Sequence, residues 1–292
     1  MKAKILKLGL PKGSLQEATF RLFRKAGFRL EVSERSYFPV IDDPEIEPVL
    51  LRAQEMSRYV ETDLDCGITG QDWVLENNSK VKEVSELIYA KQSLRPVRWV
   101  VAVPRDSSVK RLKDLKGRQI ATELYNVTKK FFKSRKIKAN IEFSWGATEV
   151  KVAQGLVEAV VELTETGKSL KANKLKEIAT ICESTTKFIA NYNSWQNSWK
   201  RAKIEQIALL LTGAIAAEEK VGLKMNARKE NLNKIIKLLP ALKNPTISEL
   251  SKAGWLAIET VIDEKIVRNL IPNLKKAGAQ GIIEYPLNKV IY

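Results

Sequence analysis

Short apolar runs that end in turns of Gly, Ser, Thr or Asp, each followed by residues at helical spacing, recur through the first two-thirds of this 292-residue chain. That alternation restricts the chain to an α/β architecture with largely parallel sheets. Residues 5–10 read as a strand and residues 11–14 as a turn, with Ser14 as N-cap and Glu17 completing a capping box. A helix to Ala26 follows, stopped by Gly27. Further strands are expected over 64–69, 97–104, 118–122 and 159–163, with a helix ending over 112–117. The last third changes character. A strongly apolar helix over 204–217 precedes a strand (221–226), a helix (230–239, ended by Pro240), a strand (255–262), a helix (267–276) and a strand (281–285). These three strands and two helices are assigned to the β-α-β-β-α-β ferredoxin-like plan, which marks a separate small domain.

Composition removes several chemistries. The chain has no histidine, so histidine bases, Ser-His and Cys-His pairs and histidine-ligated metals are absent. Two cysteines, Cys66 and Cys182, build neither a disulfide framework nor a CxxC zinc site, and read as small buried thiols. The N-terminal segment, 1–7, is charged and lacks the apolar run of a signal peptide. The longest apolar stretch, 207–217, falls short of the ~18 residues of a membrane span. A cytoplasmic protein without a membrane partner is expected.

Fifty Lys+Arg against 34 Asp+Glu give a formal net charge of +16. Such a balance suits nucleic acid or small polyanionic substrates. The densest patch, 129–138, reads as an amphipathic helix with a lysine-rich solvated face and the Phe131–Phe132 pair in the core. No zinc finger or RNP-like motif is present, and no nucleic-acid partner is expected.

The segment 162–170, Glu-Leu-Thr-Glu-Thr-Gly-Lys-Ser-Leu, runs from an apolar strand into a turn and a helix start. Backbone N–H groups at such a turn can cradle a phosphate. Gly167-Lys168-Ser169 imitates the end of a Walker A loop, but the first glycine of that motif falls on Glu162. A carboxylate there suits the two hydroxyls of a ribose, with Thr166 and Ser169 beside the phosphate. The segment reads equally as an ordinary capped turn. Three further turns share the pattern: 9–14 with Lys12 and Gly13, 67–73 with Thr69 and Asp72, and 122–128 with Glu123. Each reads as a capped turn by itself; together they suit a phosphate-rich ligand at strand C-termini.

The chain closely resembles the long form of the ATP phosphoribosyltransferase family. The matching stretches are 8–15, 67–73, 121–124, 126–128, 143–149, 163–167, 245–246 and 278–286. The resemblance implies two periplasmic-binding-protein-like α/β lobes with the active site between them. Lobe I would comprise 1–97 and 185–215, and lobe II 98–184. The ferredoxin-like domain, 220–292, would sense histidine. It implies a reaction in which N1 of the adenine of ATP displaces pyrophosphate from phosphoribosyl pyrophosphate, with Mg²⁺ required and its ligands undetermined. It also implies homohexamers in equilibrium with dimers, and inhibition by histidine.

Carried over by position, Glu162 would hold the ribose hydroxyls. Thr164, Glu165, Thr166, Gly167, Lys168 and Ser169 would hold the phosphate. Lys12 would meet pyrophosphate or triphosphate, and Gly13, Thr69, Asp72 and Glu123 would face the cleft. Ser14 stands where many members carry arginine, which removes one cation. Asn226, Thr246 and Ala279 match the feedback site, with Asn226 where some relatives carry an acid. An inactive two-lobed binding or regulatory protein is the alternative.

Overall fold

The computed structural model describes residues 4–33, 36–90, 94–146, 148–240 and 245–292. Residues 1–3 of the charged N-terminal segment and Ala147 of the 143–149 motif lie outside the described residues. The chain divides into two compact units, Met1–Leu209 and Leu210–Tyr292.

The first unit opens with β1 (Leu6–Lys12), α1 (Gln16–Ala26), β2 (Leu30–Glu31), β3 (Val40–Ile41), β4 (Ile46–Arg52), α2 (Ala53–Thr62), β5 (Cys66–Gly70), α3 (Gln71–Asn77) and β6 (Lys82–Leu87). It continues with β7 (Val97–Pro104), β8 (Gln119–Thr122), α4 (Tyr125–Ser134), β9 (Asn140–Phe143), α5 (Thr148–Ala153), β10 (Ala159–Thr164), α6 (Lys168–Ala172) and β11 (Leu175–Ser184). It closes with β12 (Thr186–Ala190), α7 (Tyr192–Gln196) and most of α8 (Ser198–Ala216). The expected helix ending over 112–117 is a 3₁₀ turn, Leu112–Leu115.

Ten of these strands form two five-stranded sheets, and β2 and β3 pair antiparallel as a small two-stranded sheet. The first has the order β4-β1-β5-β12-β6 and the second β11-β7-β10-β8-β9. Both are mixed rather than largely parallel. β1 runs parallel to β4 and β5, and β8 parallel to β9 and β10. β12 is antiparallel to β5 and β6, and β7 is antiparallel to β10 and β11. The chain leaves the first sheet after β6 and returns to it at β12. The strands at that exchange therefore run against the βαβ strands beside them, which local periodicity does not report.

The core follows from sequence. β7 and β10 are buried on both faces and read as near-continuous Val/Ala runs. α2 lies so close over β1 and β5 that a Cβ at Gly9 or Gly67 would fall 2.3 and 2.8 Å from the Met56 sulfur. Only glycine allows that approach. Phe131 and Phe132 are buried, and the lysines around them on α4 point to solvent, as the amphipathic reading expects. Cys66 is buried, but Cys182 is only half-buried. No helix is long and apolar enough to cross a membrane, among the described residues.

The start of α1 differs from expectation. β1 continues to Lys12, held beside Arg52 by its parallel register with β4. Gly13 then turns the chain at φ +95°, and the Gln16 N–H donates to its carbonyl at 3.1 Å. The N-cap falls on Leu15, which makes no side-chain cap. Ser14 is therefore a turn residue, and the capping box with Glu17 does not form.

The second unit contains β13 (Lys220–Arg228), α9 (Leu232–Leu238), β14 (Thr246–Glu249), β15 (Trp255–Asp263), α10 (Glu264–Lys276) and β16 (Gln280–Pro286). Its sheet order, β14-β15-β13-β16 with every pair antiparallel, is the ferredoxin-like arrangement. Alternation builds it. Val221, Leu223, Met225 and Ala227 on β13, with Ile258 and Ile262 on β15, form a core with Ile235 of α9 and Val267, Leu270 and Leu274 of α10.

Candidate functional site

A cleft of about 850 Å³ lies between the two sheets of the first unit. Its lining comes from strand ends, where open α/β sheets bind ligands. From the first sheet come Lys12 and Arg52, paired directly at the C-terminal ends of parallel β1 and β4. From the second sheet come Glu162, near the end of β10, and Glu123, just past the end of parallel β8. One wall thus presents two cations side by side, and the other two acids.

On the cation wall, Lys12 Nζ stands over the Tyr37 ring, 3.3 Å from its centroid. The attraction of an ammonium for the ring face holds the Lys12 side chain in the cleft. Gly13 and Ser14 complete this edge. Asp72, at the start of α3, is nearly fully buried. Burial raises its pKa, opposed by hydrogen bonds from the Trp99 indole, the Ser184 hydroxyl and backbone N–H groups. The Trp99 Nε1–Oδ2 bond is 2.6 Å and the Trp73 N–Oδ1 bond 3.1 Å. The Asp72 N–H donates to Ser184 Oγ at 3.1 Å.

On the acid wall, the Thr148 hydroxyl donates to Glu162 Oε2 at 2.5 Å. Burial raises the Glu162 pKa above its ordinary value. The Thr148 bond opposes this, and the negative charges of Glu149 and Glu123 add to it. Glu123 Oε1 accepts the Gly146 N–H at 2.8 Å, which ties the loop after β9 to the wall. The turn after β10 adds Glu165, Thr166, Lys168 and Ser169 to the lining. Gly167 adopts φ +74° and caps α6, and its N–H donates to Thr164 Oγ1 at 2.9 Å.

The cleft thus collects Lys12, Gly13, Asp72, Glu123, Glu162, Glu165, Thr166, Lys168 and Ser169. Three expected residues, Thr69, Thr164 and Gly167, do not line it. Thr69 is fully buried and donates to the Ala53 carbonyl at 2.7 Å, fastening the start of α2 to β5. Thr164 is buried and pins the turn from inside. Gly167 contributes backbone geometry to that turn. Sequence reading missed Tyr37, Arg52, Trp99, Ser184 and Thr185 in the lining. Arg52 carried a usable signal: a cation ending an apolar strand, directly before a helix.

In the second unit, Asn226 on β13 pairs with Ala257 and with Gln280, the residue after Ala279. Thr246 is exposed on edge strand β14, with β15 between it and β13. Ala279 is buried in the core of this unit, so its backbone and not its side chain is available outside. The structure therefore brings Asn226 and Ala279 together and leaves Thr246 two strands away.

Comparisons with known proteins agree with this division. A family model described as ATP phosphoribosyltransferase matches residues 52–213, and one described as HisG, C-terminal domain, matches 217–289. An ATP phosphoribosyltransferase of Thermodesulfovibrio yellowstonii is 61% identical over 292 residues, covering 100% of both chains. One of Chlorobaculum parvum is 58% identical over 288 residues, covering 98% of each. Among solved structures, a chain of the ATP phosphoribosyl transferase (HisG:HisZ) complex from Thermotoga maritima matches with TM-score 0.60 and 25% identity. That match covers 71% of this chain and 99% of that one.

Proposed function

This chain belongs to the ATP phosphoribosyltransferase family, a pentosyltransferase family that performs the first step of histidine biosynthesis, and we propose that it does so in the cleft between its two sheets. The carrying observation is the opposition of charge across that cleft: Lys12 and Arg52 on one wall, Glu123 and Glu162 on the other. N1 of the adenine of ATP attacks the anomeric carbon of phosphoribosyl pyrophosphate, and pyrophosphate departs. The attacking nitrogen brings its own lone pair, so the step needs no strong general base and a histidine-free chain can carry it. Bond breaking runs ahead of bond making. Positive charge then grows on the ribose ring while negative charge grows on the leaving oxygen.

Each wall answers one of those charges. Lys12 and Arg52 bind the departing pyrophosphate and stabilise its growing charge. Glu162 accepts hydrogen bonds from the ribose hydroxyls, and its carboxylate stands near the ring as the ring becomes cationic. The turn formed by Glu165, Thr166, Lys168 and Ser169, shaped by Thr164 and Gly167, binds the 5-phosphate through backbone N–H groups, hydroxyls and the Lys168 cation. Asp72 and Gly13 border the nucleotide. Arg52 beside Lys12 supplies a second cation on the wall where Ser14 offers none.

Mg²⁺ fits the donor set. This cation binds one or two carboxylates together with substrate phosphates and keeps several waters. The cleft offers separate carboxylates rather than a preformed cage, and no group of three or more metal-binding side chains occurs among the described residues. Asp72, Glu123, Glu162 and Glu165 are the residues able to hold it. When bound with substrate, Mg²⁺ neutralises part of the pyrophosphate charge.

The reading extends to regulation and setting. Histidine binds the second unit around Asn226 and the backbone of Ala279 and lowers activity, with Thr246, two strands away on β14, outside that pair. The enzyme assembles as a homohexamer in exchange with dimers and works in the cytoplasm. An inactive binding protein is not favoured by membership of this family.

The test is formation of phosphoribosyl-ATP from ATP and phosphoribosyl pyrophosphate, followed by ultraviolet absorbance with Mg²⁺ and pyrophosphatase, with and without histidine. Mg²⁺-dependent product that histidine suppresses is expected. Product that ignores histidine would remove the regulatory reading, and binding without product would remove the catalytic one. Truncation before residue 220 is expected to abolish histidine inhibition.

A further inference from the structure

Helix α3 belongs to the first sheet's side of the molecule, yet its two acids are spent on the second. Asp72 and Glu76 are four residues apart, one turn along one helix face, and are 4% and 9% exposed. Asp72 accepts from Trp99 of β7. Glu76 reaches further. Its Oε1 accepts the Asn126 N–H at 2.8 Å, its Oε2 accepts the Val127 N–H at 2.9 Å, and its backbone carbonyl accepts from Asn126 Nδ2 at 3.1 Å.

These amides open α4. The first N–H groups of a helix have no partner inside it and need an acceptor. α4 supplies none locally: Leu124 at the N-cap makes no side-chain cap, and the first turn holds no acid. The cap arrives instead from a residue 50 positions earlier in the chain. A carboxylate receiving two backbone N–H groups at a helix N-terminus is also matched by the positive end of the helix dipole. Leu124 directly follows Glu123, whose carboxylate borders the cleft and accepts the Gly146 N–H. The start of α4 is therefore the base on which the acid wall stands.

We propose that Glu76 is a positioning residue for phosphoribosyl transfer: by capping α4 from the other side of the cleft, it fixes the span between the Lys12–Arg52 wall and the Glu123–Glu162 wall. The inference rests on the cleft being the site of reaction. Two substrates must meet in line across that span, and a misplacement of ~1 Å can cost on the order of 10²-fold in rate. A cap made by α3, on the first sheet's side, to α4, on the second's, holds the span where a local serine cap could not.

The Glu76→Gln variant tests it. Glutamine keeps the shape and one acceptor oxygen but turns an NH₂ group toward the second amide. A folded variant is expected to lose roughly tenfold or more in kcat/KM for both substrates alike, because a shared span is disturbed rather than one contact. Glu76→Asp, one methylene short, is expected not to rescue. In the unaltered protein, the Asn126 and Val127 amides are expected to exchange slowly with deuterium, and to exchange faster in Glu76→Gln. Kinetics within twofold of the parent in folded Glu76→Gln, a loss confined to one substrate, or rapid exchange of those amides in the parent would each overturn the proposal. Glu162→Gln serves as reference. Activity lost there but kept in Glu76→Gln overturns the positioning role alone, whereas activity kept in both overturns the cleft assignment on which it rests.

Discussion

The two walls of the cleft are built alike and charged oppositely. On one, Lys12 and Arg52 end adjacent parallel strands, β1 and β4. On the other, Glu162 and Glu123 stand at the ends of adjacent parallel strands, β10 and β8. The same βα geometry therefore delivers a cation pair to one side and an acid pair to the other. The environments differ as well. Lys12 is steadied by the exposed face of Tyr37, whereas Glu162 is partly desolvated and fixed by Thr148. The contrast matches a bond that breaks into an anion and a cation. It also shows that fold alone does not choose the chemistry; the residue at each strand end does.

The comparison can be broken most severely from the acid wall. Glu162→Gln keeps the shape and removes the charge proposed to stand beside the ribose ring. It is expected to lower kcat/KM for phosphoribosyl pyrophosphate by about 10²–10³, the range for removing one preorganised electrostatic partner. Steady-state kinetics on protein with an unchanged melting temperature checks this. Lys12→Met comes next. Loss of a charge-assisted contact of about 1.5–3 kcal/mol corresponds to roughly 10- to 150-fold, with Arg52 retaining part of the pyrophosphate binding. The expected signature is weaker inhibition by added pyrophosphate.

A pH profile sharpens the comparison further. The Glu162 pKa is raised in the fold, and the proposed ribose contact uses its ionised form. Activity is therefore expected to fall as pH drops through a value above the ordinary 4.5 of a glutamate, and Glu162→Gln removes that limb. The stability consequence has the opposite sense. Because the folded protein holds this proton more tightly than the unfolded chain, the group favours folding below its ordinary pKa, and that contribution is lost as pH rises through the folded value. The smallest effect belongs to Thr148→Val. Losing its hydrogen bond is expected to move the acid limb to higher pH, with a change of a few fold at most in kcat/KM at neutral pH, in line with about 1 kcal/mol for one neutral donor.

Sequence carried the elements better than their assembly. Val97–Pro104 reads as a strand because eight largely apolar residues lie between turn signals, and the structure has the same bounds. Three strands and both helices of the C-terminal domain were equally readable, since alternation along β13 and β15 is local, but the short exposed edge strand β14 was not placed. The mixed sheets were not, because β7, β11 and β12 take their direction from a chain that leaves one sheet and returns to it. At the site, the strand-to-helix turns were legible, and the family resemblance ordered them. The direction of each hydroxyl was not: Thr69 and Thr164 turn inward to serve backbone groups. The Ser14 capping box failed because β1 runs to Lys12 in register with β4. Glu76 left no mark in the sequence, since its partners lie 50 and 51 residues away.

The division of labour between the walls is tested most directly by giving the protein each half of the reacting bond separately. Calorimetric binding of inorganic pyrophosphate and of ribose 5-phosphate, each with Mg²⁺, would be compared for the parent, Lys12→Met and Glu162→Gln. Opposed losses are the predicted result: Lys12→Met weakens pyrophosphate and spares ribose 5-phosphate, and Glu162→Gln does the reverse. If one substitution weakens both ligands equally, or the pattern is inverted, the two walls do not divide the leaving group from the ribosyl group and the account is contradicted.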